Sequence, residues 1–412
     1  MVIIRAKYLI PDSENCIESG ALVVNGSTIT HVGTFNEIKS ICKVEKIVDL
    51  GNAIILPGLI NLHTHLDLTN LHNLIKPTNR FTHWVYQIVG ARIRWENKDY
   101  ISSIEKGITL SIESGTTTVA DITNTGHSFA VLKKSPLRKI VYKEVIDLNP
   151  EHANEVINKN LSELSNIETD ALFLKGISPH APYSVSKELY KAVAQTAKEM
   201  NIPVCTHIAE TQDEIEFLTK GTGDFPALLR QLRALPDNWQ PPEITPIKYL
   251  NDTGFLNNHP LLIHCNYITD EEIPLIKLSG ASVVFCPRSH HFFGHKQHPV
   301  LKLLDANLNV GLGTDSLASN DSLSILDEMK YLFHHYSIPP RTIISMATIN
   351  GANALGMEKQ VGQINKGFKA DICGIKLQGN KTVDIYKRLF DTSSENIFTM
   401  INGVICYNTA CH

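Results

Sequence analysis

The 412-residue chain reads as an α/β protein, an eight-stranded parallel βα barrel inserted into a small β module that both termini supply. Three observations lead there. The two ends alternate apolar and polar residues and turn at glycine. The long middle alternates short apolar runs with helix-length connections. Its polar, chemically capable residues gather where those apolar runs stop, the end at which such barrels hold their sites.

Residues 1–56 carry VIIRAKYLI, then GALVVNGSTITHVG with a hairpin signal at Asn25-Gly26, then EKIVDLGNAIILPG. Residues 360–412 have the same texture in VGQINKGFKADICGIKL and IFTMINGVICYN, so the ends are expected to pair. Between them, residues 57–359 hold the barrel. Its strands are expected to end near His63 and His65, then at 116–123, 140–147, 172–180, 202–210, 260–268, 281–289 and 308–316. The stretch from Gly221 to Pro246, rich in Gly and Pro and containing Trp239, reads as an extended loop or lid.

Composition narrows the function. Formal charge is -4 from 38 basic and 42 acidic residues, with no basic run of the kind that binds nucleic-acid polymers or membranes. The eight cysteines (Cys16, Cys42, Cys205, Cys265, Cys286, Cys373, Cys406, Cys411) are scattered without a C-x-x-C, as expected for reduced thiols in a cytoplasmic protein. The apolar start MVIIRAKYLI is too short for a signal peptide and lacks a cleavage site, and no window has 18 uninterrupted apolar residues. The expected partner is a small-molecule substrate.

The chemistry starts at His63-Thr64-His65, at the end of an apolar run, where residues two apart project to one side of a strand. A His-x-His pair alone is a weak signal; its value rests on the groups that join it. His207 ends strand five and Asp315 ends strand eight, completing three imidazoles and a carboxylate that suit one divalent metal with a position left for water. Such a metal lowers the pKa of its water toward neutrality, and Asp315 can take the proton. Glu210, three residues past His207, is placed as a general acid; His264, ending strand six, can hydrogen-bond the attacking oxygen and the alkoxide that forms. His180 in SPHAPYS is placed to hold substrate, and the interleaved His290, His291, Phe292, Phe293 and His295 can line a pocket for a flat heterocycle.

In order and spacing, PGLINLHTHLD, SPHAPYS, HIAETQDE, IHCNYI, CPRSHHFFGH and LGTDSLASNDSL resemble the amidohydrolase superfamily. The resemblance covers nearly the whole chain and points to the aminohydrolase branch of S-adenosylhomocysteine/methylthioadenosine, aminofutalosine and guanine deaminases and triazine hydrolases. It implies a distorted (β/α)8 TIM barrel with a β-sandwich built from both termini. It also implies His63, His65, His207 and Asp315 as ligands to one divalent metal, zinc first with iron as the alternative, Glu210 as proton shuttle, His264 as the residue orienting the attacking oxygen, and His180 as a substrate contact. A homodimer is common in that family. The implied reaction is hydrolytic deamination of an aminopurine-like ring. Where S-adenosylhomocysteine-type enzymes place an acidic ribose contact, HWVYQIVGARIRWE offers Trp84, Gln87, Arg92 and Arg94; past strand seven stand Arg288 and His290, in a stretch resembling aminofutalosine deaminases. An arginine at 92, 94 or 288 can pair with a substrate carboxylate, and 6-aminofutalosine carries one. The alternatives are a guanine, cytosine or triazine aminohydrolase, a binuclear cyclic amidohydrolase with a carbamylated Lys175 bridging two metals, and a non-catalytic scaffold.

Overall fold

The structure, a computed structural model, describes residues 1–44, 46–78, 80–378 and 384–410. Eight parallel strands form two four-stranded sheets. The first holds β1 (Leu59–Thr64), β2 (Thr116–Thr123), β3 (Arg138–Val145) and β4 (Phe173–Pro179); the second holds β5 (Cys205–Ile208), β6 (Leu261–His264), β7 (Ser282–Phe285) and β8 (Val310–Leu312), each in chain order. Nearly every residue of these strands is buried, because helices and neighbouring strands cover both faces, and their sequences are accordingly apolar runs without strict alternation. At one seam Ile177 and Val204 make a parallel bridge, and the His207 N–H donates to His180 O (2.9 Å). At the other, the Thr314 and Asp315 N–H groups both donate to His63 O (3.0 Å each) and Asn61 Nδ2 donates to Thr314 Oγ1 (2.8 Å). The arrangement is of the TIM-barrel type.

The termini meet as the sequence suggests. Ala53–Pro57 pairs antiparallel with Ile372–Lys376 in a six-stranded sheet that also holds Glu395–Ile401 and Val404–Asn408. A four-stranded sheet carries the hairpin of Gly20–Asn25 and Thr28–Thr34, with Gly26 at φ +58° as the Asn-Gly turn requires. A helix at Phe35–Ile41 was not expected; Thr34 and Glu37 cap it reciprocally, side chain to backbone in both directions. This module has its own apolar core around Leu22, Ile29, Ile55, Ile372 and Phe398. It is tied to the barrel by a buried ion pair, Arg138 Nε to Asp371 Oδ2 at 2.8 Å.

The expected loop at 221–246 is partly helical. Gly221 (φ +70°) caps the helix Gln212–Lys220, and Phe225–Gln231 forms a short helix because Phe225, Leu228 and Leu229 are buried against Phe81, Tyr183 and Phe217. Among the described residues, no helix is long and apolar enough to cross a membrane. Seven cysteines are free thiols; Cys411 lies outside the described residues.

Candidate active site

The C-terminal strand ends bring the widely separated histidines together. His65 Nε2 and His207 Nε2 are 3.3 Å apart with rings parallel to within 5°, and the His63 ring stands edge-on to both, 4.9 Å from each centroid. His63 Nε2 lies 3.5 Å from Asp315 Oδ1. His207 Nδ1 donates to His180 O (3.0 Å), which turns its Nε2 toward the others. One ligand atom each from His63, His65 and His207 falls within 4.8 Å of the rest, and so does the set His63, His264 and Asp315.

This donor set fits a divalent cation. Both His63 ring nitrogens are buried without a hydrogen-bond partner, and a ligated ion would satisfy one of them. Burial and then the charge of His63 push His65 down to about 3, and the same two influences hold His207 far below its ordinary range, so these rings are neutral with lone pairs available. Burial opposes ionisation of Asp315, but His63, His264 and His65 together outweigh it and hold its pKa well below the carboxylate range. Its Oδ2 accepts from Ser289 Oγ (2.8 Å) and Ser319 Oγ (2.6 Å), and its Oδ1 from the Ser316 N–H (2.7 Å).

The strand ends reach this geometry through unusual backbone. Ala209, His264, Cys265 and Asp315 have φ of +49°, +74°, +53° and +58°, a region costing non-glycine residues of order 1–3 kcal/mol each. Gly313 lets β8 pass against β1, since a Cβ there would sit 2.8 Å from His63 Cβ. Beside the cluster, Glu210 Oε1 lies 3.5 Å from His264 Nε2. Burial, then the charges of Asp315 and Glu214, raise the Glu210 pKa well above its ordinary value and favour its protonated form.

These groups floor a cavity of about 600 Å³. Phe81, Trp84, Ile88, Leu148, Tyr183 and Leu228 form apolar walls, and the segment Leu228–Pro236 within the 221–246 stretch lines its rim. Trp84 is fixed by its indole N–H donating to Ala318 O (2.9 Å). His180 faces the cavity with Nδ1 against Ser184 Oγ (2.6 Å) and Nε2 4.0 Å from Glu144 Oε1; burial and then His63 lower its pKa to about 4. Arg92 lines the cavity with its Nε buried and unpartnered.

Four expected substrate contacts are elsewhere. Gln87 faces the preceding loop, accepting from Lys76 N–H (2.8 Å) and donating to Lys76 O (3.1 Å), and Arg94 is exposed. Arg288 sits in a helix that starts directly after β7 (Pro287–Phe292), which turns its guanidinium to Asp321 and Asp327. His290 is on the same helix, buried behind the strand ends against His295 and His298 (centroids 5.4 and 5.8 Å) and outside the cavity lining. Lys175 points away from the cluster, donating to Leu164 O (2.6 Å) and Ile167 O (2.8 Å), so it cannot bridge two metals from this position.

Sequence reasoning missed Asp67 and Glu144, two buried cavity carboxyls that burial raises to about 7. Glu144 was detectable as a charged residue ending the apolar run of β3. It also missed Ser289, which reaches Asp315 from the helix Pro287–Phe292, and Ser319, which reaches it from four residues further along the same loop.

The model of the amidohydrolase family matches residues 54–406. A 5-methylthioadenosine/S-adenosylhomocysteine deaminase of Carboxydothermus hydrogenoformans is 30% identical over 392 residues, covering 92% of this chain and 83% of the relative. Among solved structures, an aminofutalosine deaminase of Helicobacter pylori in complex with methylthio-coformycin superposes with a TM-score of 0.85 at 24% identity, over 98% of this chain and 100% of that one. An adenosine deaminase of Xanthomonas campestris with bound zinc gives 0.84 at 22% identity, over 99% and 93%. The chain belongs to the amidohydrolase family of metal-dependent enzymes and is a hydrolase of carbon–nitrogen bonds other than peptide bonds.

Proposed function

We propose that the protein deaminates an adenine-type nucleoside, with 6-aminofutalosine the favoured substrate ahead of S-adenosylhomocysteine, methylthioadenosine and adenosine. One observation carries the reading: Glu210, its carboxyl pKa raised by burial, stands beside His264 at the edge of a cluster of His63, His65, His207 and an ionised aspartate. In this reading the two parallel sheets close into one distorted barrel (57–359), and the terminal sheets (1–56 and 360–412) form a β-sandwich.

His63, His65, His207 and Asp315 would hold one divalent ion, zinc first and iron second, since both take imidazole and carboxylate ligands. When bound, it supplies Lewis acidity and a water acidic enough to ionise near neutral pH. Glu210 gives its proton to the ring nitrogen next to the carbon bearing the amine, making that carbon electrophilic. His264, its Nε2 facing Glu210, offers a fixed hydrogen bond at the oxygen entering that carbon. Asp315 takes one proton of the entering water and passes it to the departing amine, and Glu210 recovers a proton from the new hydroxyl as the oxo group forms and ammonia leaves. The base lies between Trp84, Phe81 and Leu148, with His180 holding its polar edge. Arg92, half-buried with its Nε unpartnered, suits a substrate carboxylate.

Ammonia release by metal-loaded protein from a panel of these nucleosides, with guanine, cytosine and a triazine, tests the reading. Glu210→Gln is expected to keep its metal and lose about 10²- to 10⁴-fold in kcat. Full turnover by that variant would refute the assignment. Arg92→Gln should raise KM for the carboxylate-bearing nucleoside and leave methylthioadenosine unaffected.

A further inference from the structure

Two backbone units just past β5 are fastened entirely from outside their own strand. Glu214 is fully buried at the third position of the helix Gln212–Lys220. A carboxylate there ordinarily reaches back to the N-cap amide. Here it passes the N-cap, Thr211, and accepts from two earlier amides: Ala209 N–H on Oε1 and Glu210 N–H on Oε2, both at 2.9 Å. The carbonyls are taken from the other side. Tyr267 N–H donates to Ala209 O (3.0 Å), and Asn266 Nδ2 donates to Glu210 O (2.9 Å).

All four polar groups of residues 209 and 210 therefore have partners on other elements, two on one carboxylate and two just past the end of β6. Ala209 needs this restraint because it stands at φ +49° without being glycine. Its reversal of direction carries the Glu210 side chain from the strand end toward His264.

We infer that Glu214 and Asn266 are positioning residues for the deamination, a buried clamp that holds the Glu210 peptide and so aims its carboxyl. The inference rests on the role of Glu210 proposed above. Neither residue lines the cavity, so both act through Glu210.

Glu214→Gln keeps the shape, retains one acceptor and turns an NH₂ toward the second amide. Asn266→Ala removes the opposite anchor with less disturbance. Both are expected to bind metal as the wild type does, to keep KM within about twofold, and to lose on the order of 10²-fold in kcat, the cost of misplacing a reacting group by about 1 Å. In a Glu210→Gln background, neither should lower the residual rate further. Amide hydrogen exchange at Ala209 and Glu210 should accelerate in Glu214→Gln. Wild-type kcat in both variants, or losses that multiply with that of Glu210→Gln, would overturn the inference. A wild-type enzyme releasing no ammonia from any panel member would instead refute the proposed reaction, while the exchange experiment would still report on the clamp.

Discussion

The Asp315 carboxylate offers a quantitative test of how far a proposed ligand depends on its supports. Ser289 and Ser319 both donate hydroxyl hydrogens to Oδ2, at 2.8 and 2.6 Å, while the Ser316 N–H holds Oδ1 and leaves that oxygen facing His63. A hydrogen bond to a charged group contributes about 1.5–3 kcal/mol, and each 1.4 kcal/mol is tenfold in an equilibrium constant. Removing one hydroxyl should thus weaken metal binding by roughly 10- to 100-fold, the usual range for groups that orient a ligand. The hydroxyls are 3.1 Å apart and share one acceptor, so Ser289→Ala and Ser319→Ala should combine less than additively, the survivor taking over part of the restraint. Competition of each variant with a chromophoric zinc chelator at fixed pH measures this. A double variant that binds zinc as tightly as the wild type would show that the carboxylate is oriented by its backbone alone, and the argument would fail.

Further outcomes follow from packing. Gly313→Ala places a methyl 2.8 Å from His63 Cβ and 3.0 Å from Cys286 Sγ, so metal content and activity should fall together while the protein loses about 1–3 kcal/mol in urea unfolding; normal metal content would refute the close approach. Asp371→Ala strands a buried guanidinium and should cost about 3–5 kcal/mol, whereas Arg138→Met with Asp371→Leu should recover most of it; equal losses in both would contradict the pairing. Lys175→Ala should leave metal stoichiometry and turnover unchanged, measured by elemental analysis and ammonia release. A fall from two metals to one would reinstate the binuclear alternative.

Much of the candidate site was legible because its polar groups sit where apolar runs end, and that rule needs only one strand at a time. His63, His65, His207, Glu210, His264 and Asp315 were all found that way; the structure places the last five on one cavity and His63 buried against them. The rule fails where a helix starts at once. Pro287 opens a helix directly after β7 and carries Arg288 and His290 away from the cavity, although the run of histidines and aromatics looked like a pocket. Gln87 shows the same limit, since helical residues three apart share a wall but 84 and 87 diverge once Lys76 captures the amide.

The order of strands, the pairing of the two termini and the candidate groups that meet at the strand ends were thus written in local patterns, where period and apolar runs dictate the outcome. The helix at Phe35–Ile41 belongs with them, because Thr34-x-x-Glu37 is a capping signal that could be read directly. Tertiary structure alone decided which polar groups support the reactive ones. Glu214, Asn266, Ser289 and Ser319 have no periodicity that marks them; Asn266 and Ser289 matter because a distant segment brings a carbonyl or carboxylate within 3 Å, and Glu214 and Ser319 because the chain turns back on itself within four or five residues. The left-handed turns at Ala209, His264 and Asp315 are likewise invisible in the chain, since none is a glycine and only the surrounding hydrogen bonds make the strain affordable.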